Sequence, residues 1–316
     1  MSTGVLLMTF GTSITSDGVE EYLRSVYRRE PPEDTVKEFK RRFDLVGRSP
    51  LIEITLEQGD ALQRLLDERS GAGAYVVGVG MLHTEPPIAD ALQRLADAGV
   101  ERVIGIVLAP QYSAIIMGGY NRSVEATVAE RGIDVPVTVV GPWYDTPGWI
   151  DSLAEGLQRT IDEAGDLPVV FTAHSLPKAV VERDTGYLDQ IHETIRLVAD
   201  RVGLPSDRWQ FGYQSAGHTP EEWLTPDFKD LVPDIAKAGH TGVIFVPVQF
   251  TADHLETLYD IDIAGREEAE EVGLEFHRVP VPNTSPVFIE ALRQVVERES
   301  ADAGGGTAAL RPSRRA

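Results

Sequence analysis

The chain has 316 residues, with 50 Asp and Glu against 29 Lys and Arg, for a formal net charge of −21. Such a surplus excludes general nucleic-acid binding and attraction to anionic membrane surfaces, both of which need a cationic face. There is no Cys, which excludes disulfides, thiolate zinc sites and Cys-ligated iron–sulfur clusters.

Short apolar runs alternate with longer amphipathic segments from the N-terminus onward. Strands are expected near residues 4–10, 74–82, 102–109, 136–141, 168–173, 208–214, 242–248 and 274–279. Helical patterns such as "LEQGDALQRLLDER" and "PPIADALQRLADAG" lie between them. Strands that are apolar throughout and separated by helices indicate an α/β fold with mostly parallel sheets covered on both faces. "GVLLMTF" at the N-terminus is too short for a signal core or a membrane span. No integral membrane segment is expected, and the protein is expected in the cytoplasm.

An internal echo divides the pattern in two. "HTEPPIADALQRLADAGVERVIGIVLAPQYS" begins at His83 and "HTPEEWLTPDFKDLVPDIAKAGHTGVIFVPVQFT" at His218. Both run from His-Thr through a helix to Ala-Gly, then a strand, a Pro and a Gln followed by an aromatic residue. Two Rossmann-like halves are expected, each a mostly four-stranded parallel sheet flanked by helices. The first spans residues 1–145 with an insertion at 20–60, the second spans 146–299, and 300–316 form a flexible tail. Ligands of open α/β sheets bind beyond the carboxyl ends of the strands, which predicts a cleft between the halves.

Several residues at those strand ends could carry chemistry. "TAHSLPK" puts His174 at the end of an all-apolar strand, before a turn stiffened by Pro177. In "FVPVQFTADHLETLYDID", a helix is expected after Thr251 or Asp253, with Asp253, Glu256 and Asp260 on one face and Leu255, Leu258 and Tyr259 packing inward. A solvated acidic face is one account of that row. A path for protons or for a hard, iron-like divalent cation is the other. The insertion carries Arg28, Arg29, Arg41, Arg42 and Arg48, a residue type suited to gripping carboxylates. Phe10, Tyr120 and Trp223 are candidate rim aromatics for a flat apolar ligand.

Taken together, "AHSLP" (173–177), "DHLETLYDID" (253–262), "SPL" (49–51), "LAPQYS" (108–113), "GYNR" (119–122) and "WYDTPGWI" (143–150) resemble the ferrochelatase family. The resemblance covers nearly all of residues 4–299 and is greatest to the soluble coproporphyrin-type enzymes of Gram-positive bacteria. It implies insertion of Fe(II) into a porphyrin in heme biosynthesis, with macrocycle distortion and loss of two pyrrole protons. The family's invariant His and Glu fall on His174 and Glu256, which would face each other across the porphyrin and handle metal and protons. Asp260 matches an acidic relay position and His83 a His at the cleft. Arg42, Ser49 and Tyr120 match propionate-holding positions, Arg28 and Arg29 are carried over beside them, and Trp223 matches a pocket-wall aromatic. The insertion at 20–60 corresponds to a porphyrin lip.

Three departures accompany the match. Phe10 stands where Gram-positive relatives commonly carry Tyr, and it cannot ligate iron through oxygen. Ala264 stands where the acidic ladder usually continues. The cluster that some relatives bind through Cys cannot form here. The resemblance further implies a monomer with no tightly bound cofactor, whose partners are porphyrin and Fe(II), not nucleic acid. A related cobalt or nickel chelatase acting on sirohydrochlorin or another tetrapyrrole, and a non-catalytic tetrapyrrole carrier, are the competing expectations.

Overall fold

A computed structural model of the chain describes residues 2–184, 186–217 and 221–302, with the side chains of Ile115, Ile116 and Asp302 excepted. The second His-Thr of the echo, His218 and Thr219, and residues 303–316 of the expected tail lie outside the described residues. Residues 300–302 still belong to the last helix.

All eight expected strands are present. Four of them, β1 (Thr3–Thr9), β2 (Tyr75–Met81), β3 (Arg102–Val107) and β4 (Val137–Val139), form a parallel sheet in the order β2-β1-β3-β4. Their register pairs Thr3 with Tyr75 on one side and with Arg102 on the other. Helices α1 (Val19–Tyr27), α2 (Glu33–Val46), α3 (Leu51–Ser70), α4 (Ile88–Asp97) and α5 (Ala114–Arg131) connect them. The second sheet contains β5 (Val169–His174), β6 (Trp209–Gln214), β7 (Gly242–Pro247) and β8 (Glu275–Arg278), parallel in the order β6-β5-β7-β8. With it come α6 (Pro147–Ala164), α7 (Lys178–Val181), α8 (Gly186–Val202), α9 (Phe228–Lys237), α10 (Arg266–Glu271) and a π-helical segment, Thr257–Gly265. The final helix, α11 (Pro286–Asp302), packs on α3. The described residues divide into two compact units, one up to Gly148 plus residues 283–302, the other Trp149–Pro282.

Burial explains why the central strands are apolar from end to end. Every residue of β1 and β7 is buried, because helices cover both faces of a parallel sheet. In the first unit Leu6, Met8, Val103 and Val107 pack against Ile88, Leu92 and Leu95 of α4. In the second, Val170, Val243 and Phe245 pack against Phe228, Val232 and Ile235 of α9.

The two halves repeat one connection closely. A cis peptide precedes Pro86 and another precedes Pro226, each Pro lying two residues before α4 or α9. Met81 N donates to Pro86 O at 2.7 Å, and Tyr213 N donates to Pro226 O at 2.8 Å. Gly80 and Gly212 let each helix start close to its strand. A Cβ on Gly80 would sit 2.6 Å from Ile88 Cα, and one on Gly212 would sit 3.1 Å from Phe228 Cα.

The helix after Thr251 departs from expectation. It is α-helical only at Leu255 and Glu256 and then winds as a π-helix, whose i→i+5 bonding turns less per residue than an α-helix. Its buried positions are Thr257, Asp260, Ile261 and Gly265, a spacing wider than the α-helical 3.6. The expected inward stripe is therefore corrected. Leu255 is buried, but Leu258 and Tyr259 are only half-buried, while Asp260 points inward at 8% exposure. Asp253 precedes the helix and shares no helical face with Glu256.

Candidate active site

In a sheet ordered β6-β5-β7-β8, successive connections leave in opposite directions between β5 and β7, and ligands bind at the carboxyl end of such a switch point. His174 is the last residue of β5, and the chain leaving β7 runs through Gln249 to Glu256. The fold thus brings the two together although 81 positions separate them in sequence. His174 Nε2 lies 3.7 Å from Glu256 Oε2, and both side chains are about one-third exposed, at 31% and 37%. This contact is longer than a hydrogen bond.

The orientation of His174 is set from behind. Its Nδ1 lies 2.5 Å from Ser175 O. A carbonyl oxygen only accepts, so Nδ1 is assigned a proton, and Nε2 is the ring atom turned toward Glu256. Its backbone N–H donates to Gln249 Oε1 at 2.5 Å, and the Gln249 amide donates to the Tyr187 hydroxyl. Burial pushes the Tyr187 phenol above its ordinary value, against the opposing effect of Gln249.

A second histidine reaches the same carboxylate. His254 Nε2 lies 3.8 Å from Glu256 Oε2, while its Nδ1 is 3.0 Å from Ala252 O. Burial is the largest influence on this imidazole and lowers its pKa. The Glu256 carboxylate, the Ala252 carbonyl and Asp253 outweigh it, so the group titrates above its ordinary value.

Asp260 takes a different part. Its Oδ2 accepts a hydrogen bond from Ser215 Oγ, and Ser215 holds a left-handed φ of 59° just beyond β6. Among the described residues, no group of three or more His, Asp or Glu is arranged to hold a metal ion. His174, Glu256 and Asp260 therefore do not form a preassembled three-ligand site. Trp223 is half-buried, bridges to Pro177, and has its ring against Gly217.

The remaining candidates lie in the first unit. Phe10, just after β1, is 40% exposed with its ring centroid 4.4 Å from that of His83. His83 Nδ1 is 3.1 Å from Ser25 Oγ. Burial and then the nearby Arg28 charge hold His83 below its ordinary pKa. Arg28 and Arg29 are exposed at the end of α1. Arg41 and Arg42 both donate to Glu38 at 2.8 Å, and Arg48 donates to Glu53 at 2.9 Å. The hydrogen bond from Arg41, joined by Arg42, holds the Glu38 carboxyl at about 2. Three of the insertion's five arginines thus already grip carboxylates of this chain.

Ser49 is 2% exposed and its Oγ has no hydrogen-bond partner, although its backbone N–H donates to Ile14 O at 2.9 Å. Tyr120 is also corrected. It sits in the core of the first unit at 3% exposure and presents no ring at a rim. Burial, aided by Tyr22, raises its phenol pKa.

Several site residues escaped the sequence reading, namely Gln249, Tyr187, His254 and Ser215. Gln249 had a visible signal, since the echo repeats it as Gln111, which is 2% exposed. Tyr187 and Ser215 had none, because only the sheet brings them to this place.

The ferrochelatase family profile matches residues 2–300. The chain belongs to the ferrochelatase family. It is a metal chelatase that inserts iron into a porphyrin in heme biosynthesis. A coproporphyrin III ferrochelatase of Geobacillus kaustophilus is 35% identical over 309 residues, covering 95% of this chain and 97% of that protein. A ferrochelatase of Deinococcus radiodurans is 36% identical over 307 residues, covering 95% and 96%. The structure of SirB from Bacillus subtilis with Fe3+ aligns with a TM-score of 0.60 at 12% identity, over 96% of this chain and 98% of that one. That last likeness shows the fold alone, as two four-stranded parallel sheets flanked by helices. Iron is substrate in this family, and with no Cys the chain has no Cys-ligated cluster. Among the described residues no helix is long and apolar enough to cross a membrane.

Proposed function

We propose that this ferrochelatase loads Fe(II) into coproporphyrin III, with His174 and Glu256 acting on the reacting centre. The observation that carries it is the pair itself, with Nε2 and Oε2 3.7 Å apart at a topological switch point. Neutral His174, its proton held on Nδ1 by Ser175 O, accepts one pyrrole N–H proton at Nε2. The imidazolium so formed is stabilised by the adjacent Glu256 carboxylate. Glu256 receives the second proton, with His254 beside it and Asp260 four residues further along the chain as the way out. Loss of two protons balances the two positive charges that Fe(II) brings to the macrocycle. Bending the porphyrin exposes the pyrrole nitrogens to both groups. A pair of ligands with no third grouped beside them among the described residues suits a cation that must be released onward.

Coproporphyrin is favoured by the relatives that bear its name and by polar groups in the first unit. Buried Ser49 Oγ lacks a partner, and Arg28 and Arg29 are exposed. We place propionate contacts at Arg28, Arg29, Arg42 and Ser49, and ring contacts at Phe10, His83 and Trp223. The enzyme is taken to work in the cytoplasm as a monomer.

Anaerobic Fe(II) insertion by wild type, His174→Ala and Glu256→Gln, each with coproporphyrin III and protoporphyrin IX, tests the proposal. Each variant is expected to lose about 10²-fold or more in kcat, the usual contribution of a positioned acid or base. Wild type is expected to prefer coproporphyrin III in kcat/KM. Near wild-type turnover by either variant overturns the roles, and a preference for protoporphyrin IX overturns the substrate.

A further inference from the structure

We propose that Arg278 is a positioning residue for Glu256, clasping the carboxylate segment to β8 at two points. Arg278 is the last residue of β8, with only 13% of its side chain exposed. Its Nε and Nη2 donate to the two oxygens of Asp262 at 2.6 and 3.0 Å, the parallel arrangement that only a guanidinium makes. Its Nη1 lies 3.1 Å from Asp253 Oδ1. That contact is an ion pair by distance whose angle is not that of a hydrogen bond. Asp253 stands three residues before Glu256 and Asp262 six residues after it. One side chain therefore holds both flanks of the catalytic carboxylate.

The segment between those flanks needs holding. A π-helix is the less favoured winding, confined in most proteins to single turns, yet here it runs for nine residues. Rewinding as an α-helix would turn each residue further about the axis. Over the residues from Glu256 onward, that changes the direction of each side chain relative to Glu256, including that of the inward Asp260. Anchoring residues 253 and 262 to the same guanidinium resists such a rotation. β8 adds a second clasp, since the Arg266 guanidinium lies 4.5 Å from the centroid of the Phe276 ring. The effect of Arg278 on Glu256 passes through the backbone that it holds on either side. The role rests on Glu256 being the reacting carboxylate proposed above.

Arg278→Lys keeps a charge but loses the fork, leaving Asp253 and Asp262 without a common holder. The triple variant Arg278→Met/Asp253→Asn/Asp262→Asn removes the clasp without stranding a buried charge. Both are measured for thermal midpoint, porphyrin binding by fluorescence, and steady-state Fe(II) insertion on the full chain. Expected is a 10- to 100-fold fall in kcat, about what a misplaced group costs, with KM for porphyrin within about twofold of wild type. A merely structural role predicts that turnover follows the folded fraction and returns with the stability of the triple variant. Wild-type kcat in either variant overturns the clasp. Glu256→Gln is run in parallel. If it is inactive while the Arg278 variants are active, only the clasp fails; if it too is active, the catalytic pair fails and the clasp with it.

Discussion

At the scale of single residues, the site depends on who holds each proton. His174 and His254 both turn Nδ1 toward a backbone carbonyl and Nε2 toward Glu256. For His254, burial favours the neutral ring and the surrounding oxygens favour the charged one, with the oxygens winning. Removing the Glu256 charge should reverse that balance. In Glu256→Gln the His254 pKa is expected to fall, which an NMR titration of its ring proton reads directly; an unchanged pKa excludes Glu256 as the cause. The sign for stability follows from proton binding. With a folded pKa above the ordinary 6.5, the charged ring contributes stability below about pH 6.5, and this is lost as pH rises through the folded pKa. Ser215 shows a residue-scale cost of a different kind, a non-glycine residue in the left-handed region whose hydroxyl reaches Asp260.

Among the elements, the repeated strand-to-helix connection and the π-helix set the geometry. Gly80 and Gly212 occupy matching places in β2 and β6, but the tolerances differ. A methyl group on Gly80 meets Ile88 backbone at 2.6 Å, whereas on Gly212 the nearest backbone is at 3.1 Å. Gly80→Ala should therefore cost about 1–3 kcal/mol through overpacking, and Gly212→Ala less. Chemical denaturation of both variants checks the order, and equal losses would show that α4 shifts as easily as α9. The π-helix turns Asp260 inward with Thr257 and Ile261. An α-helix of the same sequence would bury Leu258 and Tyr259 instead, which is what the apolar pattern predicts.

For the molecule as a whole, the net charge of −21 acts on both substrates at once and in opposite directions. A negative field draws in Fe(II) and repels a porphyrin bearing propionates. Raising ionic strength from about 0.01 to 0.1 M shortens the screening length from about 30 to about 10 Å. The expected result is a fall of about threefold or more in kcat/KM for Fe(II) and a rise in kcat/KM for the porphyrin. Parallel changes for the two substrates would show that the field near the site does not follow the net charge. The arginines of α2 offset that field only in part, because Glu38 cancels one of the two charges on Arg41 and Arg42.

Sequence by itself determined the eight strands, their parallel pairing into two sheets and the family. These depend on local periodicity, on apolar runs long enough to be buried on both faces, and on motifs read in order. It also pointed to His174, because strand ends are where an α/β fold places its chemistry, while Glu256 was singled out from its acidic row by the family resemblance. Only the tertiary structure decided that the helix after Thr251 winds as a π-helix, that Asp253 and Asp262 meet on one arginine of β8, and that Tyr120 is core. The physical reason is common to all three. Winding, ion-pair choice and burial depend on partners distant in sequence, and a pattern of period 3.6 carries no information about an Arg that arrives from another strand.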